Sequence, residues 1–145
     1  MGQSEAYKKT GRVSTQSEWS GRSFSTRPFS IEPVGQIGGV KLYNDSAAVR
    51  IDMVAESLLS FDEPVLWIMD SSMDLEGLFE LKDIVKVRVK TLIAVGDKSD
   101  EIHRILWPSL GLFISASNWT ESLQSAVRAA KANDDIIFSP GTRAR

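Results

Sequence analysis

From Phe29 onward, apolar runs of strand length alternate with amphipathic stretches. Ile31 to Ile37 and Val40 to Tyr43 flank Gly38-Gly39, a dipeptide suited to a two-residue hairpin because glycine takes up positive φ without steric cost. The polar corner Asn44-Asp45-Ser46 comes next. Asp45 or Ser46 is placed to cap a helix whose apolar positions Val49, Met53, Val54, Leu58 and Leu59 recur at helical spacing. Phe61-Asp62-Glu63-Pro64 ends it, since the residue before a proline is driven out of the helical region. Val65 to Met69 is a continuous apolar strand, and Leu75 to Val85 then sets Leu78, Leu81, Ile84 and Val85 on one helical face. Thr91 to Val95 is a strand stopped by Gly96. Asp97 or Ser99 caps the helix bearing Ile102, Ile105 and Leu106, and Pro108 closes it. Leu110 to Ser115 forms a further strand, Asn118-Trp119-Thr120-Glu121 resembles a capping box ahead of a helix over 123–132, and Asp135 to Phe138 makes the last strand.

Strands that are apolar throughout and alternate with helices require a parallel sheet covered on both faces. The predicted fold class is therefore α/β: a Rossmann-like, mostly parallel sheet flanked by helices and led by a β-hairpin. Residues 1–27 stand apart. They are rich in Ser, Thr and Gly, carry Lys8, Lys9, Arg12, Arg22 and Arg27 against Glu5 and Glu18, and show no sustained apolar period. Such a segment buries too little apolar surface to offset its ordering entropy, so a disordered tail over 1–27 and a folded domain over 28–145 are expected. The tail's charge of +3 faces −5 on the rest of the chain, which lets it fold back loosely on its own domain. No internal repeat is visible.

Composition narrows the function classes. The 145 residues are enough for one domain, and 42% hydrophobic with 25% charged residues is the balance of an ordinary globular protein. A net charge of −2 gives no drive toward nucleic acid, and no basic-aromatic constellation suggests it. The absence of cysteine excludes disulfides, thiolate metal sites and cysteine nucleophiles. The longest apolar runs, such as Pro64 to Met69, are too short to span a bilayer, and no signal-peptide core follows Met1. A cytoplasmic protein without membrane attachment is expected.

In sheets of this kind ligands gather at the carboxyl ends of the strands, beside helix N-termini. Those ends read Asn44-Asp45-Ser46, Asp70-Ser71-Ser72, Gly96-Asp97-Lys98-Ser99, Ser115-Ala116-Ser117-Asn118 and Ser139-Pro140-Gly141-Thr142, one polar rim of small residues. The same residue types also cap helices in any α/β fold. Asp97 separates Gly96 from Lys98, so the Gly-Lys-Ser/Thr triplet of a phosphate loop is missing. Gly35 and Gly38-Gly39 precede a strand and are no dinucleotide fingerprint. His103, the sole histidine, sits mid-helix without a Ser or Cys partner, as a surface or half-buried residue. Asp70 and Asp74, with Glu76 nearby, have a spacing that could hold Mg²⁺, while Asp74 equally suits a helix cap. Trp67, inside a strand, belongs to the core.

The corner Tyr43-Asn44-Asp45-Ser46 resembles the Asn-Asp-Ser-Lys-Ala-Thr-Asn box of the Mur ligase C-terminal domain, especially that of the D-glutamate-adding enzymes. Ile31-Glu32-Pro33-Val34-Gly35, Pro64-Val65-Leu66-Trp67-Ile68, Leu81 to Lys86, Val89 to Ile93 and Ser139-Pro140 carry the likeness onward, from about residue 28 to 140. It implies ATP-driven acylation of an amino acid, with ATP and Mg²⁺ as the family's cofactors and this domain supplying amino-acid and nucleotide contacts. Transferred by position, Asn44, Asp45 and Ser46 fall at the nucleotide-facing corner and Ser139 near the amino-acid pocket. The pattern also departs: Ala47 stands at the lysine position, Val49 at the threonine, Arg50 at the last asparagine. Phe29-Ser30 replaces a His-Arg pair, and Asp70 to Leu75 replaces a Gly-Gly-x-Asp-Lys-Gly loop.

The resemblance thus implies a stand-alone Mur-ligase-C-terminal-like domain, non-catalytic by itself and without a catalytic residue, metal site or cofactor of its own, that binds a ligand or another protein. An alternative is the C-terminal part of a split or truncated D-glutamate ligase, completed in trans by N-terminal and central domains in peptidoglycan synthesis. A second is an unrelated receiver-like or nucleotide-binding α/β module; a phosphoacceptor site in it would require an acidic cluster converging on one aspartate, and Asp45 and Asp70 could approach one another at adjacent strand ends.

Overall fold

The computed structural model describes residues 31–143. The predicted tail over 1–27 lies outside the described residues. The hairpin strands are β1 (Glu32–Ile37) and β2 (Val40–Asn44), turned by Gly38 and Gly39 with φ of 56° and 84°. There follow helix α1 (Ile51–Leu59), β3 (Val65–Asp70), α2 (Leu75–Glu80), α3 (Lys82–Arg88), β4 (Val89–Val95) and α4 (Ser99–Leu106). A 3₁₀ turn (Trp107–Ser109), β5 (Leu112–Ala116), α5 (Trp119–Ala129) and β6 (Asp135–Phe138) follow.

The six strands form one sheet in the order β1-β2-β6-β3-β4-β5, antiparallel in the hairpin and parallel elsewhere. The expected α/β architecture is present. Its centre is β3, where Val65, Leu66, Trp67, Ile68 and Met69 are all buried. Side chains alternate across a strand. Val65, Trp67 and Met69 accordingly join one core with Val54 and Leu58 of α1, Leu78 of α2, Val85 of α3 and Ile102 and Leu106 of α4. Leu66 and Ile68 face the opposite way, into a second core closed by Ala126 and Val127 of α5. Among the described residues, one face of the sheet thus carries four helices and the other carries one.

Three local expectations are corrected. The periodic stretch over 75–85 is two helices, because the chain breaks at Leu81 (φ −85°, ψ −2°), whose N–H bonds back to Leu78 and Phe79. Leu78, Leu81 and Val85 all reach the same core, so the hydrophobic period continues through the break and conceals it. Helix α1 starts at Ile51 with Arg50 at the N-cap and no side-chain cap. Asp45 is not its cap, since a turn (Ala48 N–H to the Asp45 carbonyl, 3.0 Å) and two further residues intervene. Helix α4 likewise begins after Lys98 without a side-chain cap, so Asp97 does not cap it.

Arg50 pairs instead with exposed Asp52 at 3.1 Å. The guanidinium hydrogen bond holds the Asp52 carboxyl below the usual carboxylate range. No helix among the described residues is long and apolar enough to cross a membrane.

Candidate functional site

Each buried parallel strand runs out at the same edge of the sheet, and the polar residues following them meet there. Asp70 ends β3 half-buried, and its Oδ1 accepts hydrogen bonds from Ser72 N (2.9 Å) and Ser72 Oγ (2.7 Å), which folds the loop tightly back. Ser71 is buried beneath it. Its N–H bonds the Val95 carbonyl at 2.8 Å, and its Oγ accepts from Lys98 N at 3.1 Å, tying the β3 loop to the start of α4. Gly96, at φ 117°, passes so close that a Cβ there would lie 2.6 Å from Ser71 Oγ. Only glycine meets both demands at this crossing.

The β5 loop is held by a reciprocal cap. Asn118 Oδ1 accepts from Glu121 N (2.8 Å) and Glu121 Oε1 accepts from Ser117 N (2.7 Å), as the sequence suggested, although the helix begins at Trp119 rather than at 123. This start places the Trp119 ring edge-on to Phe138, the last residue of β6, with centroids 4.7 Å apart.

After Phe138 the chain stitches β2 to β3. Ser139 N donates to the Ile68 carbonyl, Asp45 N to the Phe138 carbonyl, Asp70 N to the Pro140 carbonyl and Gly141 N to the Ala48 carbonyl. Two side chains complete the stitch: Trp67 Nε1 donates to the Ser139 carbonyl at 2.8 Å, and Ser139 Oγ donates to Asp45 Oδ2 at 2.9 Å. Asp45 and Ser139 are fully buried.

These loops enclose a cleft of about 810 Å³. Ser46, Ser72 and Ser117 supply hydroxyls, Asp70 and Asp97 supply carboxylates, and Trp119, Phe138 and Pro140 form the apolar wall. Among the described residues no lysine or arginine lines it. Of the four residues transferred by resemblance, Ser46 lies on the wall, Asp45 and Ser139 bond to each other beneath the surface, and Asn44 sits half-buried at the end of β2. Asp45 and Asp70 do not meet at adjacent strand ends, because β6 runs between β2 and β3. The Asp70-Asp74-Glu76 reading resolves toward capping: Asp74 caps α2 by accepting from Glu76 N (3.2 Å). Among the described residues no group of three or more His, Asp or Glu side chains could hold a metal ion. His103 is half-buried in α4 against Phe113 and Trp107, without a nucleophile.

The rim was legible in sequence, whereas the Trp119 and Phe138 wall was not. Its one signal is an aromatic residue directly after a helix cap at a strand end.

The chain is 34% identical over 122 residues to the UDP-N-acetylmuramoylalanine–D-glutamate ligase of Bdellovibrio bacteriovorus, covering 82% of the chain and 26% of the ligase. It is 32% identical over 120 residues to the ligase of the same name from Desulfatibacillum aliphaticivorans, with coverages of 82% and 26%. The chain thus spans about a quarter of the length of these curated relatives. Among solved structures, a crystallised domain from Haemophilus ducreyi, described as part of a UDP-N-acetylmuramate:L-alanyl-γ-D-glutamyl-meso-diaminopimelate ligase, matches with a TM-score of 0.51. The match is 19% identical over 76% of this chain and 86% of that domain, and it speaks for the fold alone. No family model matches the chain.

Proposed function

The chain belongs to the Mur ligase family as a relative of its C-terminal domain, and on that footing we propose that this domain binds a ligand or a partner without forming amide bonds by itself. The observation that carries the reading is the charge of the cleft. Among the described residues its wall holds Asp70 and Asp97 and no basic side chain, and the corner beside it presents Ala47 where the family pattern has lysine. A site that handles phosphate and carboxylate groups needs cations to offset them, and each charge-assisted hydrogen bond of that kind contributes about 1.5–3 kcal/mol. Two carboxylates in that place repel such groups instead.

The same test applies to the family's cofactors. The described residues offer ATP neither a phosphate loop nor a basic side chain in the cleft, and nowhere among them do three His, Asp or Glu side chains come together for a metal. The residues present therefore do not fit the nucleotide's phosphates.

The experiment is calorimetry of the purified chain with Mg·ATP and with D-glutamate, beside an amide-ligation assay. Negligible heat and no product are expected. Tight binding of either compound, or product from the chain alone, would refute the reading.

A second reading, completion of a ligase in trans, draws support from the intact Asp45–Ser139 corner and from the quarter-length match to the ligases. Mixing the chain with the N-terminal and central domains of such a ligase tests it. Unchanged ligation on mixing ends that reading.

A further inference from the structure

The cleft's own chemistry points to a ligand class opposite in charge to the anionic compounds just considered. We propose that it takes a small organic cation, a primary ammonium group on an apolar stem; the proposal rests on the reading of this domain as a binding domain.

Three features of the wall carry the proposal. First, among the described residues its ionisable groups are of one sign. Asp70 leaves β3 and Asp97 follows the end of the neighbouring β4, so two carboxylates enter the cleft from adjacent loops. Lys98 and Arg143, the basic residues next to lining residues in sequence, are exposed and lie outside the wall. Second, acceptor capacity is left over. Asp70 uses Oδ1 for Ser72, whereas its Oδ2 and the exposed Asp97 carboxylate accept no hydrogen bond from the described residues. An ammonium group has three donors and no acceptor, which matches this surplus. The hydroxyls of Ser46, Ser72 and Ser117 add further acceptors around it.

Third, the remaining wall is aromatic and apolar. Trp119 lines the cleft with 42% of its surface exposed and is held in place by Phe138. An indole attracts cations through its quadrupole and also shelters a methylene stem. A volume of about 810 Å³ falls in the range of small-molecule sites.

Three five-carbon probes of similar length separate the possibilities: cadaverine is a dication, glutarate a dianion, and 1,5-pentanediol neutral. The full chain is titrated with each while amide and indole N–H resonances are followed at low and high salt. Cadaverine is expected to shift the Gly96 and Asp97 amides and the Trp119 indole saturably, and to bind less tightly as salt rises. Glutarate and pentanediol are expected to bind at least about tenfold more weakly, and Asp97→Asn to weaken cadaverine roughly three- to tenfold. Asp97 is exposed and caps no helix, so this variant leaves the fold intact.

Glutarate binding in the cleft as tightly as cadaverine overturns the cation assignment while leaving the domain a binding domain. Cadaverine shifts that Asp97→Asn does not change, or the absence of any saturable shift, overturn it as well. Product in the ligation assay, by contrast, refutes the non-catalytic reading and is read out separately.

Discussion

Replacing Gly96 with alanine tests how the cleft floor is built. Two costs separate cleanly at this position. The backbone sits at φ 117°, a conformation that an L side chain adopts at a cost of about 1–2 kcal/mol. The new Cβ would also lie 2.6 Å from Ser71 Oγ, so the hydroxyl must rotate and give up its bond from Lys98 N, a loss of about 1 kcal/mol. Gly96→Ala should therefore destabilise the domain by about 2–3 kcal/mol, or roughly 10 °C in Tm for a chain of this size. The structure also predicts that the costs of changing Gly96 and Ser71 do not add. With Ser71 also changed to alanine, the nearest atom of residue 71 to the new Cβ is its own Cβ at 3.7 Å, an ordinary contact. In the Ser71→Ala background, then, Gly96→Ala should cost only the backbone share, about 1–2 kcal/mol, leaving a coupling of about 1 kcal/mol. Urea denaturation of the wild type, both single variants and the double variant measures it. Equal costs of Gly96→Ala in the two backgrounds would show that the hydroxyl contact is not what demands glycine.

Other perturbations reach the corner and the exposed ion pair. Asp45→Ala removes the buried acceptor of Ser139 Oγ and should destabilise by about 1–3 kcal/mol by urea denaturation, with Ser139→Ala costing about 1 kcal/mol; an unchanged midpoint for Asp45→Ala would exclude a structural role for the pair. Arg50→Ala should return the Asp52 titration midpoint, followed by NMR, to the ordinary carboxylate range, because the guanidinium bond is what lowers it. Since the folded value lies below the unfolded one, the pair's small contribution is present above the unfolded pKa and is lost as pH falls through the folded pKa, so wild type and variant should differ in stability above that window and converge below it.

The centre of the sheet could be read from the chain because β3 and most of β4 are buried on both faces, which makes them apolar runs; Asp135 to Phe138 is bounded as the sequence suggested. The hairpin was legible from Gly38-Gly39 alone. What escaped depends on distant partners. Asp45 looks like a helix cap until Ser139, 94 residues later, takes its carboxylate. The separation of Asp45 from Asp70 follows from the insertion of β6, and strand order leaves no periodic trace. The break at Leu81 is hidden because both flanking helices point their apolar residues at the same core. At the site, local turn chemistry made the polar rim visible, while the Trp119–Phe138 wall joins two elements and has no local signature.

The position of β6 also dictates an order of assembly. This strand is the last of the described elements in sequence, yet it is the keystone between β2 and β3, the link joining the hairpin to the three strands beyond. A growing polypeptide on the ribosome can pair the hairpin and can zip the β3-β4-β5 half, but the two pieces stay unjoined until residues 135–138 emerge. Closure then waits on contacts spanning most of the chain, the kind of long-range pairing that slows folding and leaves open sheet edges exposed to aggregation meanwhile.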